Sequence, residues 1–345
     1  MAEAARAQDW VRLLAPTRLE AFLREALGRM GSLVIEGRAP SGNSNVTAFI
    51  RFGDERLVVR RPPEGELLPT SHDMMREVRF LDAFRDTAVP VATVRARCED
   101  PAVLGAPFYV MERKDGIVLQ DGEPDHLRDP EVLGRLCDET IDVLANIHSA
   151  DWRDRGLPGR PTGYLARQVA RWSSQLGLTP SAKRLMGLER LTDWVTAHVP
   201  ADIETSIVHG DYGFHNLIIG HDTPKVCAVL DWEMATLGDP IADLVWFLQG
   251  WGVDRNESGN PANYVTTWPG ARTREQMLER YSARTGRLLK DELFYRLFSF
   301  WKGIIVTEGL YSAYLDGRNA TPLVVRFETQ IPARLKVALA LLETA

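Results

Sequence analysis

The chain has 345 residues, with 41 Lys and Arg against 47 Asp and Glu, and a formal net charge of −6 at pH 7. This acidic balance without a basic stripe argues against nucleic-acid binding, and no apolar run reaches the 18 residues of a membrane span. A chain of this length is expected to form two lobes or domains rather than one compact core.

The cysteines and the amino terminus predict a cytoplasmic location. Cys98, Cys137 and Cys227 are odd in number and widely spaced, with no C-x-x-C pair. Such usage fits a reducing compartment rather than a disulfide framework. The opening stretch MAEAARAQDW contains no apolar segment of the kind found in secretory signals.

The first third of the chain predicts a small sheet with two helices. A helix is predicted over 17–31, with Thr17 as N-cap and Gly31 at its end. Apolar and β-branched runs predict five strands, at 33–36, 46–52, 56–61, 91–98 and 107–112. A second helix is predicted over 71–84, with Ser71 as its N-cap.

A loop of small and Asx residues at 39–45 separates the first two predicted strands. Backbone N–H groups in such a loop can point inward at an anion. Turns of this composition are also common without a ligand, so the loop alone leaves both possibilities open.

The remainder of the chain predicts mainly helices. They are expected at 130–149, 164–176, 182–198, 241–249, 278–286, 291–314 and 322–343. His148 lies on the apolar face of the first of these and is expected to be a core histidine satisfied by hydrogen bonds. Asp243 is expected to accept backbone N–H bonds from the loop around Asp211.

A β-hairpin is predicted from two short apolar runs, 217–219 and 226–230, that flank a turn of Gly, Asp, Thr and Pro. Asp211 and Asn216 precede its first arm, and Asp231 follows its second. Because the outer ends of a hairpin lie side by side, these three side chains are expected to converge. Oxygen-bearing side chains suit a hard cation such as Mg²⁺.

The same stretch has a second interpretation, as the metal site of a hydrolase. His209, Asp211 and His215 have the residue types of a metal-ligand cluster. Histidine ligands, however, require neither Asn216 nor Asp231. An Asp and an Asn five residues apart are typical of the kinase catalytic loop, where the Asp accepts the hydroxyl proton and the Asn binds Mg²⁺.

The motifs together resemble the aminoglycoside phosphotransferase (APH/choline kinase-like) family. They are V-H-G-D-x-x-x-x-N from Val208, L-D-W-E from Leu230 and G-D-P-x-x-D-L from Gly238. Two further stretches, RRPPEGELLPTSHDMMRE and CEDPAVLGAPFYVMER, look closest to the branch of that family that is fused to acyl-CoA dehydrogenases.

The resemblance extends over about residues 18–320 and implies an α+β, bilobal, protein-kinase-like fold. Residues 1–112 would form a small N-terminal lobe, with an antiparallel nucleotide-binding sheet and one αC-like helix. Residues 113–345 would form a larger, mainly helical C-terminal lobe with the catalytic loop and the substrate cleft.

The resemblance also implies roles for individual residues, with ATP and Mg²⁺ as cofactors. Asp211 would be the catalytic residue, and Asn216 and Asp231 would bind the metal. The nucleotide would be bound by Ser41, Gly42, Asn43, Ser44, Asn45, Arg60, Glu77, Met111, Glu112 and Arg113. The last three would offer backbone groups to the adenine edge.

One residue departs from the family pattern, because Arg60 occupies the position of the usual phosphate-binding Lys. Arg61 follows directly, but strand alternation turns only one of the two inward, and Arg60 is expected to be that residue. Arginine keeps its charge and binds phosphate through two N–H groups, although it is larger than lysine. Glu77 is expected to pair with Arg60.

The implied activity is transfer of the ATP γ-phosphate to a hydroxyl of a small molecule, with no nucleic-acid or membrane partner. A hydroxyacyl-CoA is the preferred acceptor, and an aminoglycoside-type antibiotic is the alternative. Arg60 and the replacement of the usual Phe-Gly by Trp232-Glu233 also motivate a third hypothesis, a catalytically inert nucleotide-binding module.

Overall fold

The structure is a computed structural model that describes residues 10–39, 45–64, 73–119, 124–201, 204–253, 261–317 and 322–344. The chain divides into two compact units. The first comprises Met1–Gly116 and Cys227–Met234, and the second comprises Ile117–Val226 and Ala235–Ala345.

The first unit is built on a five-stranded antiparallel sheet in the order β1-β2-β3-β5-β4. Its strands are β1 (Leu33–Arg38), β2 (Val46–Phe52), β3 (Glu55–Arg61), β4 (Val94–Cys98) and β5 (Phe108–Glu112). Side chains of β2 alternate between buried and half-buried, as expected for a strand with one face on a core. All five predicted strands are therefore present.

The helices of this unit that lie wholly within the described residues are α1 (Pro16–Ala26), α2 (Met74–Phe84) and the short α3 (Pro101–Leu104). The prediction for α1 was wrong at both ends. Pro16 begins the helix, since proline suits the first helical position. The chain leaves the helix at Ala26, and Met30, which the apolar spacing had included, is 83% exposed.

Helix α2 begins later than predicted. Asp73 is its N-cap, and the Asp73 carboxylate accepts the Arg76 N–H at 3.0 Å. Ser71, the predicted cap, lies outside the described residues. The buried face of α2 includes Glu77 among apolar side chains.

The segment 227–234 adds to the first unit. It contains most of β9 (Val226–Val229), and the Val229 N–H donates to the Pro90 carbonyl at 2.8 Å. After β9 the chain passes through Asp231 into a short 3-10 turn, Trp232–Met234.

The second unit is mainly helical. Its helices are α4 (Pro130–Ser149), α5 (Tyr164–Gly177), α6 (Leu188–Ala197), α7 (Pro240–Phe247), α8 (Arg274–Thr285), α9 (Glu292–Leu315) and α10 (Phe327–Leu342). Its short strands are β6 (Ile117–Val118), β7 (Ser206–Val208), β8 (Leu217–Ile219) and β10 (Thr236–Gly238). Strand β6 pairs with β8, and β7 pairs with β10, both antiparallel.

Helix α9 lies at the centre of the second unit. It packs against α5, α6, α7 and α10, and its apolar side chains, such as Trp301 and Ile304, are fully buried. The predicted turn after β8 is present, because the Gly220 N–H donates to the Lys225 carbonyl at 2.9 Å.

Candidate active site

Arg60, near the end of β3, lies among carboxylates of the first unit. Its Nη2 is 2.5 Å from Asp231 Oδ1 and 3.8 Å from Glu233 Oε2. Its Nε is 3.0 Å from Glu77 Oε2, but the angle does not allow a hydrogen bond. Burial alone would lower the pKa of Arg60, but the surrounding acids outweigh it and raise that pKa above its ordinary value. The predicted ion pair with Glu77 is present, and Arg60 carries a fixed positive charge.

Arg61 faces a different environment. Its guanidinium donates to the carbonyls of Pro62 and Leu13, both at 2.9 Å. Strand alternation thus separates the two arginines, and Arg60 is the one directed at the acidic side chains.

Glu77, on α2, is almost completely buried, with 1% of its side chain exposed. The Tyr109 hydroxyl donates to Glu77 Oε2 at 2.8 Å, and Asn45 Nδ2 lies 3.4 Å from Oε1. Burial raises the pKa of Glu77 to about 7, although the Arg60 charge acts in the opposite direction. Glu77 therefore belongs to a buried network, formed with Tyr109 and Asn45, that borders the Arg60 guanidinium.

Asp231 has a left-handed backbone, with φ of 61°. Such a conformation is uncommon outside glycine and is enriched among Asp and Asn, often at functional sites. The next residue, Trp232, is buried, and its ring centroid lies 4.9 Å from that of Phe84 and 6.3 Å from that of Phe80. Packing on α2 thus fixes the backbone that presents Asp231 to Arg60.

Three carboxylates of the first unit lie close enough to share a cation. One oxygen from each of Glu77, Asp231 and Glu233 falls within 4.8 Å of the others. Glu77 is buried and committed to Tyr109, whereas Asp231 and Glu233 are 26% and 28% exposed. Carboxylate oxygens at an accessible position suit Mg²⁺, so Asp231 and Glu233 are the members of the group that fit a metal.

The loop at 39–45 is expected to cover the nucleotide phosphates, and Asn45 is the one of its predicted nucleotide-binding residues that the structure describes. Asn45 Nδ2 donates to Glu233 Oε2 at 3.1 Å. Ser41, Gly42, Asn43 and Ser44 lie outside the described residues.

The segment expected to meet adenine, Met111–Arg113, is already partly bonded. The Glu112 N–H donates to the Thr93 carbonyl at 2.9 Å, and the Arg113 N–H donates to the Arg56 carbonyl at 3.1 Å. The N–H groups of Glu112 and Arg113 are therefore occupied and do not point to a free position for the adenine edge.

The loop after β7 in the second unit carries Asp211. Trp246 Nε1 donates to Asp211 Oδ1 at 3.2 Å, and Asn216 Nδ2 donates to Oδ2 at 3.1 Å. His215 Nε2 lies 3.3 Å from Oδ2. Burial would raise the pKa of Asp211, but His215, His209 and Lys302 outweigh it and lower that pKa. Asp211 is therefore an ionised, oriented carboxylate, and 36% of its side chain is exposed.

Asn216 is tied to the residue five positions before it. Its Nδ2 donates both to the Asp211 carbonyl at 2.9 Å and to the Asp211 carboxylate. Because the amide nitrogen is committed, the amide oxygen is the atom suited to a cation.

Asp243, on α7, holds the same loop from its other side. Its carboxylate accepts the His209 N–H at 2.7 Å and the Gly210 N–H at 2.9 Å. His148 Nε2 lies 3.3 Å from the same carboxylate, and His148 Nδ1 lies 2.7 Å from the Tyr281 hydroxyl. Both predictions, a loop-binding Asp243 and a core His148, are confirmed.

The hydrolase interpretation does not match this arrangement. Among the described residues, the group of His, Cys, Asp or Glu side chains that could share an ion is the one around Asp231. His209 Nδ1 instead lies 3.3 Å from the Asp211 N–H, which it accepts. The convergence of Asp211 and Asn216 with Asp231 involves residues of both units and stays a prediction.

Two side chains beside Asp211 were not predicted. Trp246 contacts its carboxylate, and the buried Lys302, on α9, donates to the Gly210 carbonyl at 3.0 Å. The sequence does contain a signal for Lys302, because a lysine within the apolar run FSFWKGII is unusual unless it has a buried partner.

A sheet unit with a buried pair of a cation and a Glu, usually Lys and here Arg60, together with a helical unit that carries an Asp–Asn loop, is typical of the protein-kinase-like phosphotransferases. The sequence profile of the phosphotransferase enzyme family (APH) matches residues 37–293. The chain belongs to this family, as the motifs had predicted.

Relatives and solved structures agree with this membership. Acyl-CoA dehydrogenase family member 10 of Mus musculus is 34% identical over 312 residues, which cover 88% of this chain and 29% of the mouse protein. The chain thus spans less than a third of that relative. A crystal structure from Ralstonia eutropha, provisionally named an aminoglycoside phosphotransferase, is 31% identical with a TM-score of 0.79, covering 94% of this chain and 98% of its own.

A more distant structure shares the fold. Aminoglycoside phosphotransferase APH(4)-Ia, in a ternary complex with AMP-PNP and hygromycin B, is 17% identical with a TM-score of 0.57. It covers 94% of this chain and 98% of its own. The predicted α+β, protein-kinase-like fold is confirmed.

Among the helices in the described part of the chain, none has the length and apolar character needed to cross a membrane.

Proposed function

We propose that this protein transfers the γ-phosphate of ATP to a hydroxyl group of a small molecule. The observation that carries the proposal is the position of Arg60, whose guanidinium lies between Glu77 and Asp231. This cation and the two acids are the groups that kinase-like enzymes use to set nucleotide phosphates and metal. The complex of APH(4)-Ia with AMP-PNP supports ATP as the donor.

Asp211 is the residue assigned to the acceptor. Its carboxylate is ionised and about one third exposed, so it can accept the proton of a hydroxyl that is hydrogen-bonded to it. Trp246 and Asn216 fix its two oxygens. Because the transition state of phosphoryl transfer is loose, this positioning supplies more of the rate than strong basicity would.

Asn216 and Asp231 are assigned to Mg²⁺, with Glu233 as a helper. Their side chains offer the amide and carboxylate oxygens that this ion prefers. When bound, Mg²⁺ would neutralise charge on the phosphates. Arg60 would also neutralise charge on the phosphates, and the loop at 41–45 would cover them.

The acceptor we propose is a hydroxyacyl-CoA. Support comes from the relative named as an acyl-CoA dehydrogenase family member, of which this chain matches a part. The alternative acceptor, a polycationic aminoglycoside, would favour a cluster of carboxylates in the substrate cleft.

The experiment is a panel of hydroxy compounds tested for acceptor-dependent ADP formation with Mg²⁺ and ATP. It includes 3- and 4-hydroxyacyl-CoAs, the free hydroxy acids and several aminoglycosides, with the Asp211→Asn variant as control. Turnover with a hydroxyacyl-CoA, lost in the variant, is the expected result.

Other results would contradict parts of the proposal. Turnover with aminoglycosides alone would contradict the proposed hydroxyacyl-CoA acceptor and support the proposed phosphoryl transfer from ATP. Retained ATP binding without turnover of any acceptor would favour an inert nucleotide-binding module.

A further inference from the structure

Lys302 is a buried cation whose direct hydrogen bond goes to a backbone carbonyl. It lies on the central helix α9, and 7% of the residue is exposed. Among the residues that the structure describes, no carboxylate lies within ion-pairing distance of its Nζ. Burial lowers the pKa of Lys302, although Asp211 and Asp243 act in the opposite direction. An ammonium group in such a place is costly unless its hydrogen bonds are used.

The contacts of Lys302 lead to the Asp211 loop by two routes. Its Nζ donates to the Gly210 carbonyl at 3.0 Å, and Gly210 immediately precedes Asp211. The same ammonium lies 4.2 Å from the ring centroid of Trp246, within the range of a cation–π interaction. Trp246 in turn donates its indole N–H to Asp211 Oδ1.

Gly210 is held by hydrogen bonds at both its N–H and its carbonyl group. Its φ of 83° lies in the left-handed region, which glycine adopts without strain. Its N–H is fixed by Asp243 and its carbonyl by Lys302, from two different helices. The peptide groups on both sides of the glycine are therefore held, and the direction in which Asp211 leaves the loop is set.

We propose that Lys302 and Trp246 are positioning residues for Asp211. Lys302 fixes the Gly210 carbonyl and the Trp246 ring, and Trp246 fixes one oxygen of the Asp211 carboxylate. The other oxygen remains with Asn216 and His215. The catalytic consequence rests on the function proposed above, whereas the positioning itself does not.

A lysine that served the fold alone would respond differently to substitution. Replacing Lys302 by methionine removes the cost of burying an ammonium group and loses one hydrogen bond to the Gly210 carbonyl, two effects on stability that oppose each other. Lys302→Met keeps the length of the side chain and removes the charge. Loss of order in the loop without loss of thermal stability would therefore separate positioning from a structural role.

The experiment compares wild type, Lys302→Met, Trp246→Phe and the double variant. Lys290→Met, which removes an exposed lysine just before α9, is the matched control. Hydrogen–deuterium exchange of the peptides covering 207–216 is measured together with the melting temperature. Faster exchange in Lys302→Met, with the melting temperature kept and the control unchanged, is expected.

Turnover is the second readout. A displacement of the catalytic carboxylate by about 1 Å can cost roughly 100-fold in rate, so kcat should fall about 10- to 100-fold in each single variant. The KM for ATP should stay within about twofold, since Arg60 and Asp231 are untouched. Because both residues act on one carboxylate, the double variant should lose little more than the worse single variant.

Each outcome decides the question. Unchanged exchange of the loop in Lys302→Met overturns the proposal, whatever the turnover. If that variant does not fold, Trp246→Phe decides by the same exchange, since it keeps an aromatic ring beside the ammonium. If the wild type turns over no acceptor while exchange rises as expected, the proposed function fails and the positioning role stands.

Discussion

The ring centroids of Trp232 and Phe84 lie 4.9 Å apart in the first unit. This contact joins the residue after Asp231 to the helix that carries Glu77. The indole Nε1 of Trp232 also donates to the Val229 carbonyl at 3.1 Å. One buried side chain therefore connects the two acids that flank Arg60.

Truncation of Trp232 should destabilise the protein strongly. Trp232→Ala removes a ring that is 1% exposed, and a buried Trp→Ala change costs about 3–5 kcal/mol. Denaturant unfolding measures this loss. Met30→Ala, at a side chain that is 83% exposed, should change the free energy of unfolding by less than about 0.5 kcal/mol. Equal effects of the two substitutions would contradict the assigned packing.

Replacement of Arg60 should weaken ATP binding. Hydrogen bonds to charged groups are worth about 1.5–3 kcal/mol, so Arg60→Met should raise the Kd for Mg-ATP roughly 10- to 100-fold. Arg60→Lys keeps the charge and should lose much less. Isothermal titration calorimetry on the folded variants measures these constants.

The neighbouring arginine provides the control for this experiment. Arg61→Met removes a guanidinium that donates to two backbone carbonyls, so it should lower stability by about 1–3 kcal/mol. Its Kd for Mg-ATP should stay near the wild-type value. A stronger effect on ATP binding at Arg61 than at Arg60 would show that the wrong arginine has been assigned to the phosphates.

Substitution of Asp211 should separate binding from turnover. Asp211→Ala removes the group that would accept the hydroxyl proton and leaves Arg60, Glu77 and Asp231 in place. ATP affinity should remain within about threefold, while kcat should fall at least about 100-fold, as expected for loss of a general base. Parallel loss of both quantities would count against this role.

Local patterns predicted the fold well and predicted part of the site. Strand alternation indicated that only one of Arg60 and Arg61 faces inward, and the register of the family's Lys selected Arg60. The motif that follows β10 indicated that Asp243 would hold the catalytic loop. Helix ends were less certain, because Ser71 and Asp73 are both good caps and the apolar spacing of α1 continues to the exposed Met30.

Other features of the site depend on contacts between residues that are distant in the sequence. Lys302 lies 92 residues from Gly210 in the sequence, and only the packing of α9 brings them together. The left-handed backbone of Asp231 likewise depends on Trp232 and its contacts with α2. Tertiary packing determines both the Lys302–Gly210 contact and the backbone of Asp231. A pattern of residue types along the chain does not encode that packing.

His148 should make the stability of the protein depend on pH in the mildly acidic range. Burial lowers the pKa of His148 below its ordinary value of 6.5, although Asp243 acts against this shift. The unfolded chain therefore binds a proton on this residue more readily than the folded protein, and stability rises with pH in the window just below 6.5. The lowered pKa of Asp243 has its effect below 3.8, outside that window. Glu77, whose folded-state pKa of about 7 lies above its ordinary value, contributes in the opposite direction between about pH 4.5 and 7. The contribution of His148 is therefore the difference between the melting temperatures of the wild type and of a His148 variant, measured at pH 7.5 and at pH 5.0.

The variant His148→Gln isolates the contribution of the imidazole. It should be less stable at pH 7.5, because the Tyr281 and Asp243 contacts are disturbed, yet it should lose less on acidification than the wild type. His198→Gln, at an exposed histidine whose Nδ1 lies 2.8 Å from the Trp194 carbonyl, should keep the wild-type slope. If His148→Gln and the wild type show the same slope between pH 7.5 and 5.0, the acid sensitivity originates elsewhere. A neutral His148 also leaves the negative charge of Asp243 free to bind the N–H groups of His209 and Gly210. The same acidification should therefore lower the protection factors of the amides at 207–216, which are calculated relative to the intrinsic exchange rate at each pH.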